Sequence, residues 1–271
     1  MKKIAVITGA SSGMGKCFAL QAAEESSIYP ELKIDEMWIV ARRKDRLLET
    51  KKQIDDLNIE GLAVKAVDLD ISGSEGAKRL NALFTEEKEK GGFEIRLLIN
   101  NAGFGTYGEF TNTSVEREME MIDLNCTSLT GITGYAIPYM TGGSRIIMTA
   151  SLASFAPLGN FAVYGGTKAY VLSFAVALAA ELKPKGISVT SLCPGSVSTE
   201  FANVASRGAR KEVLHGLSPE KTVRQCLKDS RKKKLYSLWA FKWKVKANLS
   251  KFVSRRLVAW FTFKYSKRPS N

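Results

Sequence analysis

The sequence predicts an α/β fold with a doubly wound parallel sheet, and three observations lead to this prediction. Short, almost continuously apolar runs alternate with segments of helical periodicity, which is typical of βαβ units whose helices cover both faces of a sheet. A glycine-rich turn joins the first apolar run to the first helical segment. The 271 residues, of which 45% are hydrophobic, are enough to form one large domain with a substantial core.

The predicted elements follow from these runs in chain order. Strands are predicted over 3–8, 36–41, 62–67, 96–100, 145–150 and 187–192. Helices are predicted over 13–26, 43–56, 74–88, 114–138 and 161–182. Another helix is predicted to begin at Ser218, because serine is a good N-cap and Pro219 suits the first helical position. Since no linker or repeat divides the chain, we predict one domain over 1–229 and a C-terminal extension over 230–271.

The composition excludes several classes of protein. With 45% hydrophobic and 25% charged residues, the chain is neither disordered nor collagen-like. The four cysteines form no CxxC pair and are interpreted as reduced thiols, and the single histidine excludes a multi-histidine zinc site, so no metal site is predicted. The apolar stretch at 4–7 is shorter than the roughly seven residues that a signal peptide needs, so we expect a mature chain start and a cytoplasmic protein.

A glycine-rich turn, Thr8-Gly9-Ala10-Ser11-Ser12-Gly13-Met14-Gly15, follows the first predicted strand. Small residues let the backbone approach a pyrophosphate closely, and the start of a helix offers free N–H groups and a partial positive charge. A dinucleotide is therefore predicted to bind through Gly9, Ser11, Ser12, Gly13, Met14 and Gly15. The alternative is a tight turn in which glycine only permits the backbone geometry.

The residues that follow the second predicted strand indicate which dinucleotide is bound. An acidic side chain there would accept hydrogen bonds from the adenosine ribose hydroxyls and select NAD. This chain has Arg42 and Arg43 instead, and guanidinium groups suit a 2′-phosphate. We therefore predict NADP(H) rather than NAD, although both arginines could also simply begin a solvated helix.

Tyr164 and Lys168 are four residues apart in an apolar helical segment, so both side chains lie on one face of that helix. A second pair with this spacing, Tyr29 and Lys33, is interpreted as a coincidence because a proline follows its tyrosine. Ser151 lies 13 residues before Tyr164 at the end of a predicted strand.

At this point the chain resembles the short-chain dehydrogenase/reductase family over about residues 1–200, and most of all its hydroxysteroid dehydrogenases and 3-ketoacyl reductases. The motifs that carry the resemblance occur in the expected order: the glycine turn, Asp68, Asn100-Asn101-Ala102-Gly103, Asn125, Ser151, the Tyr164/Lys168 pair, and the run from Pro194 to Thr199. The resemblance implies a Rossmann-type fold and assembly as a homodimer or homotetramer.

The resemblance also implies roles for individual residues. It places Asp68 near the adenine, Asn101 beside the adenosine ribose and Thr199 at the carboxamide. By position it adds cofactor contacts at Ala102, Gly103, Pro194, Gly195 and Val197. It further implies that Lys168 holds the nicotinamide ribose and that Asn125 supports a water path that resupplies a proton.

The chemistry of carbonyl reduction gives the remaining roles. Hydride transfer to a ketone creates an alkoxide, which must receive a proton as it forms. Tyr164 is the predicted donor, and acts as the base in the reverse direction. We expect the Lys168 ammonium and an oxidised nicotinamide to lower the pKa of this phenol, and Ser151 to polarise the carbonyl oxygen.

The segment 195–217 is expected to fold over the substrate. It mixes apolar residues with Arg207, Arg210 and Lys211, which suits an apolar molecule with an anionic end, or else a basic surface helix. His215 is interpreted as a surface or packing residue. We therefore expect an NADP(H)-dependent enzyme that interconverts a ketone and a secondary alcohol on a steroid-like or fatty acyl substrate. The alternatives are a reductase of small carbonyls, sugars or quinones, and a regulatory or lipid-surface protein without turnover.

The extension carries the whole net charge of the protein. It contains 13 Lys and Arg and no acidic residue, within a chain whose net charge is +13. A helix is predicted over 249–261 from its apolar spacing, and a strand over 241–246 from its alternation. A basic amphipathic helix with tryptophans is typical of peripheral membrane contact, here through 242–265, but it could equally pack over the active site or a subunit interface. The absence of a recognition fold argues against nucleic-acid binding.

Overall fold

A computed structural model describes residues 1–211, 216–250 and 252–270 of the chain. The prediction made for His215, and part of the predicted substrate segment 195–217, lie outside the described residues. The sheet has seven parallel strands in the order β3-β2-β1-β4-β5-β6-β7. These are β1 (Lys2–Thr8), β2 (Glu36–Ala41), β3 (Ala63–Asp68), β4 (Phe93–Asn100), β5 (Arg145–Thr149), β6 (Ser188–Leu192) and β7 (Tyr236–Ser237).

Helices cover both faces of this sheet. The helices of the described residues are, in chain order, α1 (Gly13–Ile28), α2 (Lys44–Asp55), α3 (Gly73–Glu89), α4 (Val115–Ile122), α5 (Leu129–Ala136), α6 (Ala162–Leu182), α7 (Phe201–Ala205), α8 (Pro219–Arg231), α9 (Phe241–Leu249) and α10 (Arg255–Tyr265). The Ser218 side chain accepts a hydrogen bond from the Lys221 amide, so the predicted N-cap of α8 is confirmed.

The predicted fold class and all six predicted strands are confirmed, with ends that shift by three residues or fewer. The central strands are almost continuously apolar because their side chains point alternately into two cores, one on each face of the sheet. In β1, Ile4 and Val6 pack into the core on one face, whereas Ala5 and Ile7 pack into the core on the other. The strand order reverses on either side of β1, which creates a crevice at the carboxyl ends of β1 and β4.

The helix predicted over 114–138 is interrupted in its middle. A wider π-helical segment, Asp123–Ser128, separates α4 from α5 and contains Asn125. Such segments often occur at functional sites because they re-aim the side chains that they carry.

The sheet continues past the predicted domain boundary at residue 229. Strand β7 pairs with β6, and the buried Asp229 carboxylate accepts a hydrogen bond of 2.9 Å from the Ser237 hydroxyl. The sequence did not predict β7 because two residues are too few to show a periodic pattern.

The extension differs from its prediction in two ways. The strand predicted over 241–246 is wrong, because this segment forms α9. Lys246 lies one helical turn from Trp243 and places its ammonium 5.0 Å from the indole centroid, a contact that alternating strand residues would not make. The helix predicted over 249–261 is also split, since α9 ends at Leu249 and α10 begins at Arg255.

One helical segment of the described residues, Ala162–Lys185, is long and apolar enough by composition to cross a membrane. It comprises α6 and the short turn that follows it. Four of its residues pack into the core against the sheet: Val171, Ala175, Leu178 and Leu182. Packing against the sheet therefore accounts for much of its apolar character.

Candidate active site

A cavity of about 1260 Å³ lies at the carboxyl ends of the central strands. Its lining comes from the glycine turn after β1, the chain after β2 to β6, and the C-terminal extension. This volume exceeds the 300–1,000 Å³ that is usual for a site holding one drug-sized ligand. The cavity can therefore hold a dinucleotide together with a small substrate.

The glycine turn has the close backbone packing that a pyrophosphate site needs. Gly9 has a φ of +70°, and a side chain on Gly15 would collide with the Gly9 carbonyl. The α1 helix begins at Gly13, so its free N–H groups are at the cavity. Five of the six predicted residues line the cavity, namely Gly9, Ser11, Ser12, Gly13 and Met14. Gly15 packs behind the turn.

Two arginines lie at the end of β2, as the sequence predicted. Arg43 donates a hydrogen bond of 2.6 Å to the Ser12 hydroxyl and pairs with the Glu200 carboxylate at 2.9 Å. The hydrogen bond that Arg43 donates to the Glu200 carboxylate lowers the pKa of Glu200. The Arg42 side chain is exposed, and its nearest carboxylate is that of Asp70 at 4.0 Å. Both arginines line the cavity, so guanidinium groups surround its adenosine end.

The structure does not bring Asp68 to the cavity. This residue ends β3 with an exposed side chain, and the next two residues, Leu69 and Asp70, line the cavity instead. A motif matched by position alone misses this difference, because Leu69 and Asp70 belong to the loop after β3, whose course the motif does not show.

The loop after β4 is fixed to the loop after β1. The Thr8 hydroxyl accepts hydrogen bonds from the amides of Asn101 at 3.0 Å and Ala102 at 3.1 Å. The Asn101 carboxamide accepts a further bond from the Thr149 hydroxyl at 3.3 Å. Asn101, Ala102 and Gly103 all line the cavity, as predicted.

The predicted catalytic side chains converge where β5 and α6 meet. Ser151 follows β5, and Tyr164 lies in the first turn of α6 with its ring stacked on that of Phe161 at 4.1 Å. The Lys168 ammonium is buried, donates a hydrogen bond of 2.7 Å to the Thr149 carbonyl and lies 5.8 Å from the centroid of the Tyr164 ring. Ser151, Tyr164 and Lys168 all line the cavity.

Burial is the main influence on the acid–base properties of Tyr164 and Lys168. Burial raises the pKa of the Tyr164 phenol well above its ordinary value, while a hydrogen bond with Ser151 acts in the opposite direction. Burial also lowers the pKa of Lys168 to about 8. Lys168 is not among the groups that shift the phenol pKa, and the lowering expected from its ammonium together with an oxidised nicotinamide stays a prediction. Tyr164 is thus protonated at neutral pH, as a proton donor must be.

Asn125 is a structural support of the site rather than part of the cavity wall. Its amide donates hydrogen bonds to the Phe104 carbonyl at 2.9 Å and to the Thr167 hydroxyl at 3.1 Å. Its carbonyl oxygen accepts one from the Phe104 amide at 3.1 Å. Asn125 therefore joins the loop after β4 to α6, and the water path implied for it remains a prediction.

The loop after β6 contributes four predicted residues to the cavity lining, namely Pro194, Gly195, Val197 and Thr199. The indole of Trp243, from α9, packs so closely on Gly195 that a side chain at this position would collide with it. The sequence did not predict Trp243 as a residue of the site, because nothing in its local pattern shows that α9 folds back over the loop after β6.

The extension covers the cavity. The Thr262 hydroxyl of α10 accepts a hydrogen bond of 2.9 Å from the Gly159 amide, and Arg268 donates one of 3.0 Å to the Gly159 carbonyl. Asn160 donates to the Phe263 carbonyl at 2.9 Å. Of the interpretations left open by the sequence, the structure thus places the extension over the active site.

The chemistry of the lining suits a dinucleotide better than a metal ion. The glycine turn leaves room for a pyrophosphate, and arginines lie where a ribose phosphate would follow. Within residues 1–211, 216–250 and 252–270, no group of three or more His, Cys, Asp or Glu could hold a metal ion.

Comparisons with known proteins identify the family of this chain. The chain matches the family model described as short chain dehydrogenase over residues 3–209. It is 31% identical over 224 residues to the serine 3-dehydrogenase of Rhizobium radiobacter. The matched region covers 79% of this chain and 81% of that protein.

Solved structures show the same fold. The short-chain dehydrogenase from Sphingobium yanoikuyae in complex with NADPH is 26% identical, with a TM-score of 0.75 over 93% of this chain and 94% of that chain. A short-chain dehydrogenase/reductase from Burkholderia phymatum in complex with NAD has a TM-score of 0.78 over 100% of this chain and 97% of that chain. At 20% identity, this likeness shows the fold alone. Since the family model spans most of the chain and most of the motif residues line one cavity, the chain is an oxidoreductase of the short-chain dehydrogenase family.

Proposed function

We propose that this protein reduces a ketone on a hydrophobic substrate with NADPH, and oxidises the corresponding secondary alcohol in the reverse direction. The observation that carries the proposal is the meeting of Tyr164, Ser151 and Lys168 in the cavity that the glycine turn also lines. A non-enzymatic regulatory or lipid-surface protein would not need this set of acid–base groups.

The side chains divide the chemistry among them. The dinucleotide, when bound, supplies the hydride. Ser151 donates a hydrogen bond to the substrate carbonyl oxygen and so polarises the bond that is reduced. Tyr164 gives its phenolic proton to that oxygen as negative charge develops there. Lys168, whose pKa is about 8, exchanges a proton near neutral pH and can return one towards the phenol.

Replacement of Tyr164 tests the mechanism. We expect Tyr164→Phe to reduce turnover by roughly 10²-fold or more, the usual contribution of a positioned general acid, while the Kd for NADPH stays within about twofold. Tyr170→Phe is the matched control, because Tyr170 lies on the same helix with its ring 43% exposed and bonds Thr130. A Tyr164→Phe enzyme that retains most of its turnover would rule out this mechanism.

The preference for NADPH is supported by the arginines after β2. Since one similar structure holds NADPH and another NAD, likeness alone does not choose between them. Arg42 is exposed at the adenosine end of the cavity and has only a distant carboxylate partner, so its guanidinium is available to a 2′-phosphate.

An Arg42→Asp variant tests this preference. We expect its Kd for NADPH to rise by about tenfold or more, the size of one lost charge-assisted pair, and its Kd for NADH to change less than threefold. Arg46→Asp, one turn further along α2 and outside the cavity, is the control for a change in net charge. Equal losses for both dinucleotides would place the phosphate elsewhere.

A hydrophobic substrate is supported by the wall beside Tyr164. The rings of Phe161 and Phe201 pack against Tyr164, and Phe104, Tyr107 and Leu158 join them in one apolar cluster. The competing candidate is a small polar carbonyl compound, which the similarity to a serine 3-dehydrogenase favours. NADPH consumption measured with steroids, 3-ketoacyl thioesters and small ketones would distinguish these classes. Consumption with none of them would favour the non-enzymatic alternative.

We also propose that the protein is cytoplasmic and that the outer face of its extension contacts an anionic membrane. The side chains of Phe241, Phe252 and Trp260 are 81%, 86% and 52% exposed, in a segment without acidic residues. Each basic residue near anionic lipid contributes about 1 kcal/mol. Sedimentation with phosphatidylserine vesicles should therefore retain the wild type and lose a Phe252→Ser, Trp260→Ser variant. Equal sedimentation of both proteins would refute membrane contact through these residues.

Assembly as a homodimer or homotetramer is a further proposal. It is supported by α6, whose outer side leaves Tyr170 exposed and Leu172 and Phe174 only partly buried. Light scattering after size exclusion should give two or four times the monomer mass of 29.8 kDa. A monomer mass would contradict it.

A further inference from the structure

Two arginines from distant parts of the chain meet at the end of the cavity away from the glycine turn. Arg210 lies in the segment after α7, and Arg268 lies beyond the end of α10. Arg210 donates a hydrogen bond of 3.2 Å to the Lys267 carbonyl, so the chain that carries Arg268 is held beside it. Both arginines line the cavity.

These two guanidinium groups have no carboxylate partner within 4.0 Å in the part of the chain that the structure describes. Burial lowers the pKa of Arg268, and the positive charge of Arg210 acts in the same direction. Arg268 is partly buried and Arg210 is exposed. An anion bound between these two like charges would be stabilised by both of them. The carboxylates that line the cavity elsewhere are those of Asp70, Glu120, Asp123 and Glu200.

An aromatic wall connects this cationic pair to the phenol that donates the proton. The Arg268 guanidinium lies 4.9 Å from the ring centroid of Phe161, and the Phe161 ring stacks on that of Tyr164. The Arg210 guanidinium lies 5.9 Å from the ring centroid of Tyr107, which packs edge-on against Phe161 at 4.9 Å. A ligand bound between the arginines and Tyr164 would therefore touch apolar rings along its length.

We infer that Arg268 and Arg210 bind the carboxylate of an apolar oxo acid whose ketone lies at Tyr164. This inference rests on the proposed reductase function and names its substrate class. A guanidinium presents paired donors that match the two oxygens of a carboxylate, and an aromatic ring lies beside each of the two arginines. The C-terminal extension is then part of the substrate site, because it supplies one of the two cations.

The inference predicts a difference in affinity between an acid and the matching alcohol. Decanoate and 1-decanol share one apolar chain and differ in the anionic end. Titrated into the full chain and followed by tryptophan fluorescence, decanoate should bind at least tenfold more tightly. Arg268→Met should weaken decanoate binding by tenfold or more and change decanol binding by less than threefold. Arg210→Met should act in the same direction.

A matched control and a conservative variant separate recognition from structure. Arg255→Met removes one charge from an exposed position of the same extension that does not line the cavity, and should leave both affinities unchanged. Arg268→Lys retains the charge and should recover part of the preference for decanoate. If Arg268 only fixed the extension to the Gly159 carbonyl, its loss would weaken both probes equally, and that result would overturn the inference.

The failure of this inference and that of the proposed function are distinguishable, because binding of the two probes requires no turnover. Equal affinity of the wild type for decanoate and decanol would overturn the anion site even if ketones are reduced. A clear preference for decanoate that is lost in Arg268→Met would support the site even if no ketone tested consumes NADPH.

Discussion

Replacement of Lys168 by methionine should stabilise the protein at neutral pH, although it removes a residue of the active site. Burial lowers the pKa of this lysine from 10.5 to about 8, which corresponds to about 3 kcal/mol at 1.36 kcal/mol for each pKa unit. The folded protein carries this cost below pH 8, where Lys168 is charged in both states. Methionine also loses the hydrogen bond to the Thr149 carbonyl, about 1 kcal/mol. The expected net gain at pH 7 is about 2 kcal/mol.

The difference in unfolding free energy between the wild type and Lys168→Met should change sign as the pH rises. Between pH 8 and 10.5 the unfolded chain holds a proton on Lys168 that the folded protein has lost. The free energy of unfolding of the wild type therefore rises through this interval relative to that of the variant. By pH 10.5 the cost of the buried charge is gone and the wild type should be the more stable protein.

Urea unfolding at pH 7, 8.5 and 10.5 measures the difference directly. Tyr164 does not affect the comparison. Burial raises its pKa in the folded protein, Lys168 is not among the causes of that shift, and its titration in the unfolded chain is the same in both proteins. Lys183→Met changes an exposed lysine just after α6, and its curve should remain parallel to that of the wild type. A difference between wild type and Lys168→Met that stays constant from pH 7 to 10.5 would refute the reasoning.

The remaining predictions concern the contacts between the C-terminal extension and the loops around the cavity. Gly195→Ala should push the Trp243 indole off the loop after β6 and shift its fluorescence to longer wavelength, whereas an unchanged spectrum would show that the indole does not pack there. Asn160 donates to the Phe263 carbonyl with a φ of +58°, so Asn160→Gly keeps the backbone conformation and removes only the side chain. It should speed proteolysis within the extension several-fold while leaving Tm within a few degrees, and equal cleavage rates would contradict this.

Much of the site could be predicted from the sequence because its parts follow local rules. The glycine turn, the arginines after β2 and the Tyr164/Lys168 pair are each recognisable within a few residues. Parallel strands bring their carboxyl ends to one edge of the sheet, so residues that follow different strands must meet there. Ser151 reached the cavity for this reason.

Other features had no local signal. Asp68 was expected at the adenine, but it ends β3 with an exposed side chain, and Leu69 and Asp70 of the following loop line the cavity instead. Burial of Tyr164 raises its phenol pKa and burial of Lys168 lowers its ammonium pKa, and only the packed structure reveals how deeply each group is buried.

The sequence by itself determined the α/β class, the strand positions, the dinucleotide turn and the acid–base pair, since hydrophobic periodicity and short motifs are encoded by neighbouring residues. Only the tertiary structure decided that the extension folds back over the cavity and places Arg268 beside Arg210. That contact joins residues 58 positions apart, and its formation depends on how α9 and α10 pack on the loops around the cavity rather than on any pattern within them.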